Sequence, residues 1–112
     1  MKDYLVLIRG GDARMADLTE AETAAHMERW NVFMGGLAQS GNLAGGLPLG
    51  QDGRILTTAG SSEGVVNSEN GQAIGGYLMI KAENYDQAVE LSKACPVFEH
   101  NGNLEIRECI PM

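Results

Sequence analysis

Apolar and polar positions in this chain change their spacing several times, and each change marks an element. Tyr4 to Arg9 is rich in β-formers and stops at Gly10-Gly11, which predicts a first strand. Leu18-Thr19-Glu20-Ala21-Glu22 then announces a helix. Thr19 can cap it, and Glu22 three residues on completes a capping box. Thr23, Met27, Trp30, Phe33, Met34 and Leu37 follow at helical spacing as one apolar stripe, with Glu28 and Arg29 outside it. Ser40-Gly41-Asn42 ends that helix. A Gly-rich apolar segment from Leu43 to Leu49 predicts a short second strand. Gln51-Asp52-Gly53 reads as a hairpin-type turn into a third strand from Arg54 to Thr58. Residues 59 to 73, rich in Gly, Ser, Asn and Glu, read as a long loop, either functional or mobile. Gly75-Gly76 introduces Tyr77 to Ala82, the clearest internal strand. Asn84 can cap a second helix with Gln87 at its third position. Tyr85, Ala88, Leu91, Ser92 and Cys95 share a face of that helix, and Pro96 stops it. Leu104 to Ile110 is the closing strand.

The resulting order, β-α-β-β-α-β, predicts an α+β chain with an antiparallel sheet, ferredoxin-like, in a single domain over residues 1 to 112. The first strand is apolar on both faces: Tyr4, Val6 and Ile8 on one, Leu5 and Leu7 on the other. Tyr77-Leu78-Met79-Ile80 behaves alike. Two helices cover one face of such a sheet, and a wet second face calls for alternation. A second copy of the chain is the expected cover, so a homodimer is expected.

Charge narrows the partners. Fifteen acidic residues face eight Lys plus Arg, a net charge of −7, and no two basic residues are adjacent. A phosphate backbone or an anionic lipid surface needs clustered cations, so neither nucleic acid nor membrane is an expected partner. No apolar run approaches the roughly 20 residues that span a bilayer. The N-terminal apolar run is too short for a signal-peptide core. With Cys95 and Cys109 read as reduced thiols, a cytoplasmic location is expected.

His26 is the main chemical candidate. It lies at the edge of the apolar stripe, one turn from both Glu22 and Trp30. A histidine beside a carboxylate and an aromatic wall can serve as a general acid or base near neutral pH. The competing reading is a hydrogen-bonded boundary histidine without a chemical role. Trp30, Tyr77 and Arg9 are the candidate ligand contacts, Arg9 for an anionic group. His100, in Glu99-His100-Asn101-Gly102-Asn103, reads as an exposed turn residue. No HxH, HxxxH or CxxC spacing is present, so no metal and no cofactor is expected. Cys95 ends a helix and Cys109 lies on a strand, positions that suit packing better than reactivity.

Four stretches together resemble the YCII-related family of small ferredoxin-like proteins that form dimeric α/β barrels. Met1-Lys2-Asp3-Tyr4-Leu5-Val6-Leu7-Ile8 is similar to the family's first strand. His26-Met27-Glu28-Arg29-Trp30, through Gly41-Asn42-Leu43-Ala44-Gly45-Gly46, resembles its His-containing helix and Gly-rich strand. Gly75-Gly76-Tyr77-Leu78-Met79-Ile80 is similar to the central strand, particularly of the subgroup called DGPF. Asp86-Gln87-Ala88-Val89-Glu90-Leu91 with Cys95-Pro96, then Leu104-Glu105-Ile106-Arg107, resembles the closing portion. The resemblance implies a pocket in which His26 pairs with an aspartate, and chemistry such as removal of chloride from a hydroxylated aromatic in one branch. The aspartate of the family's Asp-Pro step is replaced here by Cys95 before Pro96, and the DGPF signature reads Gly64-Val65-Val66-Asn67. Glu22 and Glu69 are the candidates to supply the carboxylate. The two expectations are therefore a small-molecule enzyme built on His26, or a non-catalytic binding or regulatory module with a degenerate site.

Overall fold

The structure, a computed structural model, describes residues 1–10, 18–67 and 72–112. Its elements are β1 (Lys2–Arg9), α1 (Glu20–Gln39), β2 (Leu43–Pro48), β3 (Arg54–Thr57), β4 (Gly60–Glu63), β5 (Ile74–Ala82), α2 (Tyr85–Ser92), a 3₁₀ turn (Pro96–His100) and β6 (Asn103–Glu108). Four strands make an antiparallel sheet in the order β2-β5-β1-β6. This is the α+β, ferredoxin-like arrangement expected from the sequence. Among the described residues, no helix is long and apolar enough to cross a membrane.

Both helix starts form as their residues dictate. The Thr19 hydroxyl accepts from the Glu22 amide at 3.1 Å, and the Glu22 carboxylate accepts from the Thr19 amide at 3.2 Å. The Asn84 side chain accepts from the Gln87 amide at 2.9 Å. These contacts satisfy amides that the first helical turn leaves without partners. The end of α1 is tied to the sheet by buried Asn42, whose side-chain amide donates to the Lys81 carbonyl at 2.7 Å.

The middle of the chain differs from its sequence reading. Gln51-Asp52-Gly53 does not join a pair of neighbouring strands. β2 instead pairs with β5, and β3 pairs with β4, a strand inside the segment read as loop. β4 is Gly60-Ser61-Ser62-Glu63 and exposed throughout. A hairpin with no buried face carries no apolar alternation, and alternation is the signal by which strands are read. Its turn falls at Thr58-Ala59, with Gly60 at φ +124°.

The core lies between the helices and one sheet face. Tyr4, Val6 and Ile80 are almost completely buried, with Ile8, Leu78, Phe33, Leu37 and Val97 around them. Each such side chain contributes roughly 1.5–3 kcal/mol by leaving water. On α1 the buried residues are His26, Phe33 and Leu37, whereas Met27 is half exposed. The inward stripe is therefore rotated from the one read in the sequence, and His26 sits on it rather than at its edge. The opposite sheet face carries Leu5, Leu7, Tyr77 and Met79, all half-buried, opposite one another in register. Ion pairs Lys81–Asp3 and Arg9–Glu105, each at 3.3 Å, flank this apolar centre.

Candidate active site

His26 is 4% exposed, and its two ring nitrogens both have partners. Trp30, one helical turn along, donates its indole N–H to His26 Nε2 at 3.1 Å. An accepting Nε2 carries no proton, so the neutral ring carries its proton on Nδ1. Nδ1 faces Glu99 Oε2 at 3.3 Å, and the carboxylate accepts that proton's hydrogen bond. Glu99 is held in turn by Arg29, whose Nε lies 2.7 Å from Oε1 and 2.9 Å from Oε2. The hydrogen bond from Arg29 holds the Glu99 carboxyl below its ordinary value of 4.5, and the bond from His26 adds to this. Arg29, Glu99, His26 and Trp30 thus form a chain that fixes both the tautomer and the plane of the imidazole.

Glu99 reaches His26 through a local stop signal. Pro96 ends the run of α2 and opens the 3₁₀ turn, which closes at Asn101 in the left-handed region, φ 61°. The Gly102 amide bonds back to the Val97 carbonyl at 3.0 Å. This turn carries Glu99 and His100 onto α1. The His100 ring lies edge-on to His26 with centroids 4.5 Å apart. His100 Nε2 is shielded from solvent and has no hydrogen-bond partner among the described residues. His100 is therefore half-buried at the site, not the exposed turn residue its sequence context suggested.

His26, Trp30 and His100 form part of the wall of a cavity of about 380 Å³ between α1 and the sheet. Ile8, Met34, Leu47, Pro48, Leu78 and Val97 supply apolar surface, and Gly46, Gly75 and Gly76 bring backbone close. No Lys, Arg, Asp or Glu is among the described residues lining it. The volume and the few convergent polar groups suit a small-molecule site.

A family model, the YCII-related domain, matches residues 3–112. The chain belongs to the YCII-related family. A comparison with curated proteins finds no match.

For this YCII-related chain, the carboxylate beside the helix-one histidine is Glu99. It stands four residues after Cys95, the position at which the resemblance implied an aspartate. Glu22 is engaged in the α1 capping box. Glu69 lies outside the described residues. Trp30 lines the cavity beside His26. Tyr77 borders the cavity, yet it pairs with Leu7, so strand alternation sends its side chain toward the opposite sheet face. Arg9 is not among the cavity residues and is paired with Glu105. Glu99 and His100 are the site residues that the sequence reading missed. The spacing argued against a metal-ligating cluster, yet the fold brings His26, Glu99 and His100 together. Both cysteines are free. Burial pushes the Cys95 thiol up to about 11, which leaves it a packing residue.

Proposed function

We propose that the cavity binds a small, uncharged, largely apolar molecule bearing a hydroxyl, an aromatic alcohol or phenol, and that His26 acts on it as general acid or base. The observation that carries this is the buried His26 in the cavity wall, with Nδ1–H held by Glu99 and Nε2 accepting from Trp30. A carboxylate behind an imidazole orients the ring and stabilises the imidazolium that forms when Nε2 takes a proton. The Trp30 indole caps the Nε2 lone pair, and an incoming hydroxyl, a stronger donor, displaces it. The absence of charged side chains among the described cavity residues favours a neutral ligand over an anion. The test is a thermal-shift and turnover screen with substituted phenols, alongside His26→Ala. Phenols that raise the melting temperature, with turnover lost in His26→Ala, support the reading. Turnover unchanged in that variant would sink it.

A second reading, a binding or regulatory module without turnover, is favoured by one observation: both His26 nitrogens are already satisfied within the protein. It is distinguished by ligand binding with no reaction at any pH.

The apolar centre formed by Leu5, Leu7, Tyr77 and Met79 supports a homodimer in which a second copy covers the open sheet face. Met79→Glu is expected to shift the protein to monomer in sedimentation equilibrium. A wild-type chain that is monomeric at all accessible concentrations would exclude the dimer.

A further inference from the structure

His26, Glu99 and His100 each offer one ligand atom, and these atoms all lie within 4.8 Å of one another. A second, independent observation points to an occupant. His100 Nε2 is buried without a hydrogen-bond partner among the described residues, and a buried ring nitrogen in that state calls for a bound species. We infer that these three side chains form a site for a divalent first-row transition metal, Zn²⁺ fitting the donor set best.

Two imidazoles and one carboxylate make a three-ligand set of the kind that leaves one metal position open. His26 Nδ1 and Glu99 Oε2 stand 3.3 Å apart. That matches the edge of a tetrahedral site with bonds of about 2.0–2.1 Å. A rotation of the half-buried His100 ring brings the third ligand in. Glu99 binds through Oε2 while Arg29 keeps hold of Oε1 at 2.7 Å, the outer support that ligating carboxylates ordinarily have. Both histidines belong to the cavity wall, whereas Glu99 stands outside it.

Metal at Nδ1 moves the ring proton of neutral His26 to Nε2, with no net release of protons. That proton then faces the Trp30 indole N–H, also a donor, so the Trp30 contact breaks. Losing one neutral hydrogen bond costs on the order of tenfold in affinity, which three ligands outweigh. Trp30 is the only tryptophan in the chain, so its fluorescence reads the event directly. The inference goes beyond the acid–base reading. Metal-bound His26 has no free lone pair, so metal and substrate proton compete for one ring.

The test is a titration of the untagged, chelator-stripped full chain with ZnCl₂ by calorimetry, and with CoCl₂ by visible absorption, with no small molecule present. The expected result is one metal per chain with micromolar or tighter binding. Intense Co²⁺ bands of low coordination number and a change in Trp30 fluorescence should appear at the same equivalence point. In the wild-type chain both histidine rings should shift in NMR spectra on adding Zn²⁺, a readout that needs no variant. His100→Ala and Glu99→Gln should each weaken binding beyond the roughly 10- to 100-fold that loss of an outer partner costs. Millimolar binding, octahedral Co²⁺ spectra, or stoichiometric binding unchanged in His100→Ala would overturn the site. Because no substrate enters these titrations, their failure leaves the acid–base reading standing, and failure of the phenol screen leaves the metal site standing.

Discussion

Glu99→Ala is the perturbation whose cost follows most directly from the site. It leaves His26 Nδ1–H, on a ring 4% exposed, without its acceptor, and it releases Arg29 from its ion pair. A buried donor left without a partner costs roughly 1–3 kcal/mol. The lower part of that range applies, because the Glu99 side chain is 38% exposed and water can enter where it stood. The surface pair with Arg29 adds about 0.2–1 kcal/mol. Together these give about 1–2 kcal/mol of lost stability, or roughly 4–8 °C in melting temperature for a chain of this size. The decisive assay is a double-mutant cycle with His26→Ala, followed by urea unfolding and far-UV circular dichroism at pH 7.5 with chelator present. In the His26→Ala background only the Arg29 contribution remains, so Glu99→Ala should cost about 0.5 kcal/mol there, a coupling of about 1 kcal/mol. Costs that add within about 0.3–0.5 kcal/mol would show that Glu99 does not hold the imidazole, and the reasoning would fail.

Three further outcomes are expected. Because Arg29 and His26 hold Glu99 below its ordinary value of 4.5, its contribution to stability is fully present above that value and lost as pH falls through the lowered folded value. Wild type should therefore lose stability more steeply below pH 4.5 than Glu99→Gln, as read by acid titration of urea midpoints. Gly46 has φ +152°, and a Cβ there would stand 2.6 Å from the Tyr77 carbonyl oxygen and 3.0 Å from Leu78 Cα. Gly46→Ala should cost at least about 2 kcal/mol by urea unfolding. Gly45→Ala, where a Cβ meets nothing within 4 Å, should cost markedly less. Finally, an aromatic disulfide reagent at pH 8 should modify half-buried Cys109 first, with Cys95, 3% exposed, reacting only as the protein opens.

What the sequence makes legible here is local. Thr19 with Glu22, and Asn84 with Gln87, state their caps in adjacent residues, and both form as read. The four sheet strands are also visible, because each carries apolar residues against a core. The pairing of β2 with β5 is not, since it joins segments separated by a polar hairpin whose exposed residues show no period. The site fails to show for a similar reason. His26 and Glu99 are 73 positions apart, and only the turn begun at Pro96 brings them together. The usable signal was the Glu99-His100 pair within one short turn of a helix-stopping Pro96. Reading Glu22 as the carboxylate partner followed from helical spacing alone, but that side chain was already committed to the cap it had been assigned.

The central claim is that His26, in the cavity wall, keeps Nε2 unprotonated while Glu99 holds Nδ1–H. Long-range ¹H–¹⁵N correlation of the two imidazoles in the metal-free protein at pH 7.5 tests this most directly. His26 is expected in the Nδ1–H form with Nε2 unprotonated, and on addition of a phenol a shift confined to Nε2. A neutral His26 carrying its proton on Nε2 would contradict it.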